Sequence, residues 1–153
     1  MKIFLIIIMV LLIGSTGICS ELTNNQKKIL KAYPSWSKKQ KIKYFDELAY
    51  YLSKDCPDKW AKKMILLSVK PGVEEPGLRH IIKLSDRKTD YTQKKWNDIF
   101  KEMKIMTEKN LCNNPSYFFF MKLKGVYLVY EYYDKELTFL KKISVNLDKC
   151  LEK

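Results

Sequence analysis

The sequence predicts an α+β fold: about four N-terminal helices packed on a C-terminal β-hairpin or small antiparallel sheet. Two observations predict it. Apolar residues recur at three- and four-residue spacing through most of the chain up to residue 111. Beyond residue 125 the pattern changes to a run rich in Val and Tyr, followed by the polar turn Asp134-Lys135-Glu136 and a second strand-like run from Leu137 to Val145.

Taken in order, Asn24 or Asn25 caps a short helix that runs to about Ala32, with Ile29 and Leu30 inward, and Pro34 ends it. Ser37 followed by Gln40 is a capping-box pattern. It opens a helix with Ile42, Phe45, Leu48, Ala49 and Leu52 inward and Lys39, Lys43, Glu47 and Lys54 outward. Pro57 suits the first turn of a third helix reaching about Val69, with Trp60, Met64 and Leu67 on one stripe. Pro71-Gly72 stops it. Pro76-Gly77 reads as a turn, and 78–84 as a helical turn or a short strand. From Asp90 or Thr92 a long helix carries Trp96, Ile99, Phe100, Met103 and Met106 and ends near Asn110.

The last part begins with a short buried helical piece, Tyr117 to Met121, with Gly125 where a helix cap is expected. In the strand Val126 to Tyr133, Tyr130 and Tyr132 share the core face with Val126 and Leu128. Tyr127 and Tyr133 share the other face with Val129 and Glu131. A second strand from Leu137 to Val145 places Phe139, Ile143 and Val145 on one side. A lone hairpin is marginal in water, so it needs helices, a disulfide or a third strand, for which 79–84 is the candidate. The alternative is an all-α bundle in which 126–153 is one long helix; the Val, Tyr and Phe content argues against it.

Residues 1–19 carry a leader pattern: Lys2, an apolar run from Ile3 to Ile13, then Gly14-Ser15-Thr16-Gly17. A cleaved signal peptide leaves 20–153 as a single globular domain, with a helical part at 22–111 and a disulfide-braced helix-hairpin part at 112–150. An uncleaved anchor is the alternative. Both place the domain outside the cytoplasm, periplasmic or secreted, where disulfides persist. Of the four cysteines, Cys112 and Cys150 bracket the C-terminal unit and form the expected bridge. Closing that loop is worth roughly 4 kcal/mol in the chain-entropy description. Cys56 is expected to be a buried thiol, and Cys19 falls at the leader's end.

The formal charge is +12, one less once Lys2 leaves with the leader. Lysine pairs such as Lys27/Lys28, Lys62/Lys63 and Lys141/Lys142 are dispersed along the chain, which suits solvated helix faces or attraction to anionic partners. Arg79 and Arg87 are the only arginines, so nucleic acid is the least favoured partner.

One histidine, His80, excludes mechanisms that need an imidazole pair, and the multi-histidine zinc patterns are missing. No cofactor or metal is expected. The best enzymatic constellation is the loop carrying Glu74, Glu75, His80, Asp86 and Asp90, whose carboxylates suggest a small hydrolase. A solvated turn explains them as well. Tyr127 and Tyr133, beside Lys141 and Lys142, form a candidate recognition surface.

The C-terminal layout runs from Cys112-Asn113-Asn114-Pro115 through a short apolar helix, Gly125-Val126, an aromatic strand, a turn and a second strand to Cys150. It resembles small exported bacterial proteins, and the likeness implies no activity. The function expected is that of an exported non-enzymatic binding protein, of inhibitor or immunity type, recognising an acidic protein partner through a basic surface. The alternatives are a cationic binder of membrane or cell-wall polymer and the small hydrolase.

Overall fold

The computed structural model describes residues 22–151. The expected leader at 1–19, with Cys19, lies outside the described residues. The strands are Asp58–Ala61 (β1), Met64–Pro71 (β2), Gly77–Leu84 (β3), Tyr127–Tyr133 (β4) and Phe139–Asn146 (β5). They form one five-stranded sheet in the order β1-β2-β3-β4-β5. The helices are Asn24–Ala32 (α1), Lys38–Leu52 (α2), Gln93–Asn113 (α3) and Phe118–Met121 (α4). The fold is α+β, and the strands exclude the all-α bundle.

The expected arrangement needs correction. The sheet is not a C-terminal hairpin beneath N-terminal helices; it spans the chain. The third helix expected over 57–69 is the β1–β2 hairpin. The reason lies in the register, which shifts between Leu66 and Ser68 where β2 pairs with β3. This bulge puts Leu66 and Val69, three residues apart, both in the core. A spacing of three is what a helix shows, so the bulge imitates one. The segment 79–84 lies within β3, the third strand that the hairpin needed. β3 and β4 run parallel because α3 and α4 carry the chain back between them. The other neighbouring pairs are antiparallel.

One face of the sheet is buried. Leu78, Ile82 and Leu84 alternate along β3, Leu128, Tyr130 and Tyr132 along β4, and Ile143 and Val145 on β5. Against them pack Tyr44, Phe45, Leu48 and Ala49 of α2, Trp96 and Phe100 of α3, and Phe119, Phe120 and Met121 of α4. The opposite face, with Ile81, Tyr127, Val129 and Glu131, is half-buried. Ser37 and Gln40 form the capping box that opens α2. The cap of α1 is Thr23, not Asn24 or Asn25, because Thr23 and Gln26 close a reciprocal box of their own.

Two local devices hold the frame. Gly77 has φ +152°, and a Cβ there would stand 1.7 Å from the Tyr127 carbonyl oxygen, so only glycine admits this approach of β3 to β4. Cys112, near the end of α3, is bonded to Cys150 in the turn after β5, across a sequence separation of 38. In that same turn the Asp148 carboxylate accepts the Gly125 N–H at 3.0 and 3.1 Å. Among the described residues no helix is long and apolar enough to cross a membrane.

Candidate functional site

The helical layer leaves a gap over β1, β2 and β3. Leu52, at the end of α2, and Cys56 form one wall, and Tyr117 and Phe120 form the other. Leu66, Val69, Leu78 and His80 make the floor, Trp60 reaches in from β1, and Asp55 and Asp58 stand on the rim. The groove holds about 280 Å³. Ser53 fixes its position. Its hydroxyl donates to the Val69 carbonyl oxygen and accepts the Val69 N–H at 2.9 Å, tying the end of α2 to the bulged strand.

His80 is the polar group in the floor. It is 5% exposed, its ring stacks on Tyr130 at 4.9 Å and 11°, and Trp60 lies against it at 5.5 Å. Burial lowers its pKa to about 4, against an opposing pull from the backbone of Val129. The imidazole is therefore neutral near pH 7. Its Nδ1 has no hydrogen-bond partner among the described residues. The Cys56 thiol, on the adjacent wall, contacts the Leu52 carbonyl oxygen at 3.8 Å. Burial raises its pKa, reinforced by Asp58 and Asp55. A protonated thiol beside a weakly basic imidazole is not a thiolate–imidazolium pair. The groove's lining is mostly apolar, with Asp55, Asp58, Asn114 and Ser116 as its polar members beside His80.

A second depression, of about 470 Å³, lies between α3 and β5 and is lined by Phe100, Lys101, Lys104, Lys141, Lys142 and Ser144. The residues expected to form one recognition surface do not converge here. Tyr127 and Tyr133 sit at the two ends of β4, about 20 Å apart at strand rise. The Tyr127 hydroxyl accepts from Asn146 Nδ2 at 3.3 Å, and the Tyr133 hydroxyl donates to Glu131 at 3.3 Å. Glu131 also pairs with Arg79 at 3.4 Å. Lys142 registers opposite Glu131 on the tyrosines' face, whereas Lys141 registers opposite the core-facing Tyr132.

The carboxylate loop is dispersed as well. Glu75 pairs with Lys38 at 3.7 Å at one end of β3. Asp86 pairs with Lys63 at 3.1 Å at the other, where Asp90 accepts the Arg87 N–H at 2.7 Å. Eight residues of strand separate the two ends, and His80 faces the core between them. Among the described residues no group of three or more His, Cys, Asp or Glu side chains is placed to hold a metal.

The groove is not legible in the sequence, because the helix expected over 57–69 does not bring Trp60 and Leu66 together over His80. Asp134 reads there only as a turn residue. Its buried carboxylate accepts the N–H groups of Lys88, Glu136 and Thr138 at 3.0, 2.9 and 2.8 Å, clasping the β4–β5 turn to the segment before α3. The Asp-x-Glu-x-Thr spacing was the available signal.

No family model and no curated protein matches the chain. Two solved structures share its fold. A candidate secreted protein of Pseudomonas aeruginosa is 12% identical, with a TM-score of 0.59 over 74% of this chain and 95% of the other. The pilotin EpsS of the Vibrio vulnificus type 2 secretion system is 10% identical, with a TM-score of 0.56 over 74% of this chain and 94% of its own. At this identity the likeness concerns the fold.

Proposed function

We propose that this chain is an exported, non-enzymatic protein that acts by binding another protein, and that the groove beneath Trp60 takes an apolar segment of that partner. The groove is the observation that carries the reading. Its volume of about 280 Å³ falls just below the roughly 300 Å³ at which small-molecule pockets begin, a size for anchor side chains. Burying one Leu or Phe there contributes about 1.5–3 kcal/mol. Asp55 and Asp58 on the rim favour an anchor flanked by a cation. Export is supported by the leader pattern and by the disulfide, which persists in oxidising compartments. The likeness to a secretion-system pilotin favours service on another protein. The +12 charge favours a partner whose wider surface is acidic, as an inhibitor or immunity-type protein would meet.

Affinity capture with the tagged mature chain from the native envelope fraction tests this. Wild type recovers a protein at one-to-one stoichiometry, and Trp60→Ala loses it. Trp60 is 41% exposed on the edge strand, and an unchanged thermal midpoint of Trp60→Ala separates loss of the groove contact from loss of the fold. Recovery of the same proteins by both chains, or of none, removes the reading.

A further inference from the structure

β5 is an edge strand: among the described residues it pairs with β4 alone. It is eight residues long, where strands usually have about 5–6. Such an edge presents a row of free N–H and C=O groups. Beside it, Lys101 and Lys104 of α3 and Lys141 and Lys142 of β5 line one cleft. Lys104 meets Glu108 at 3.9 Å, both largely exposed. Glu131, across from Lys142, is already engaged by Arg79 and Tyr133.

We propose that this edge accepts an extended acidic segment of a protein as a sixth strand, with two adjacent carboxylates held by the lysines. The inference rests on the reading of the chain as a protein binder and names a second contact. Strand geometry selects the occupant. Side chains alternate across a sheet, so Lys142 projects to the face of Glu131 and Lys141 to the face of Tyr132, toward α3. A flat anionic surface meets one face only. An added strand sends successive residues to both, so one carboxylate meets Lys142 while its neighbour meets Lys141, Lys101 and Lys104. The same lysines repel a second copy of β5, because like charges directly opposite destabilise a strand pair. The edge is closed to itself and open to an acidic partner.

Binding and amide exchange of the mature full chain test the proposal, with three probes. These are a ten-residue peptide carrying Glu-Glu between Thr-Val repeats, its Gln-Gln counterpart, and phosphatidylglycerol vesicles. The Glu-Glu peptide is expected to bind at least tenfold tighter than the Gln-Gln peptide and to slow exchange of amides within Phe139–Asn146. K141E/K142E is expected to weaken it at least tenfold. K59E/K62E makes the same charge change in the β1–β2 hairpin at the far edge and should cost less than threefold. Equal weakening by both pairs, absence of β5 protection, or vesicle binding with the same dependence on Lys141 and Lys142 would overturn strand addition. If Trp60-dependent capture survives such a result, the groove reading stands and this one alone falls.

Discussion

His80 is the chain's single histidine, and its imidazole is stacked in the groove floor. Burial lowers its folded pKa to about 4, below the unfolded value of about 6.5. As pH falls, the unfolded chain takes the proton first. The stability linked to this site is fully present above pH 6.5 and declines as pH drops toward 4. Between pH 7 and 5 the loss is expected to be about 2 kcal/mol, and His80→Phe removes it. Urea midpoints at the two pH values check this; parallel losses in both chains would exclude it. Asp134 loses its contribution in the same direction from a different cause: the N–H bonds led by Lys88 hold its carboxyl below the ordinary carboxylate range. Its contribution is present above the unfolded pKa near 4 and is lost as pH falls through the lower folded value. Asp134→Asn should therefore destabilise at pH 7, with a gap from wild type that narrows on acidification. The glycines separate by surroundings. Gly77→Ala drives a methyl into the Tyr127 carbonyl and is expected to cost about 2–4 kcal/mol. Gly125→Ala meets nothing within 4 Å and bears only the left-handed penalty at φ +74°, about 1–2 kcal/mol.

At the scale of elements, the Cys112–Cys150 bond joins α3 to the turn after β5 across the two strands it encloses. Replacing both cysteines by alanine should remove about 4 kcal/mol, lowering the urea midpoint by about 2 M. An unchanged midpoint would mean that the unfolded chain is already constrained there. Helix boundaries were legible where caps and periodicity agree: Ser37 with Gln40 opens α2, and Trp96 and Phe100 line the inner face of α3. Strand β4 was legible from its aromatic and β-branched content, down to the inward Tyr130 and Tyr132. The β1–β2 hairpin was not, because the bulge at Leu67 gives a strand the spacing of a helix. The parallel pairing of β3 with β4 was also hidden. It joins residues about 50 apart in sequence, and no local pattern reports a long-range register.

For the molecule as a whole, the sheet separates two surfaces. The groove opens over β1, β2 and β3, and the lysine cleft flanks the opposite edge at β5. The excess of lysine is legible in the sequence, whereas the placement of Tyr127, Tyr133 and Lys142 on one face and Lys141 on the other follows only from the strand register. Contacts at the two surfaces should differ in salt response. Capture through the groove is governed by apolar burial and should persist at high salt, whereas contacts through exposed lysines should fade as the Debye length shrinks to about 3 Å at 1 M. The central claim is that the groove beneath Trp60 grips another protein. It is tested most directly by placing a photo-crosslinking amino acid at position 60 and, separately, at the exposed position 102, in cells of the source organism. The account predicts a discrete protein adduct from position 60 and none from position 102. Equal labelling from both positions, or no adduct from position 60, would contradict it.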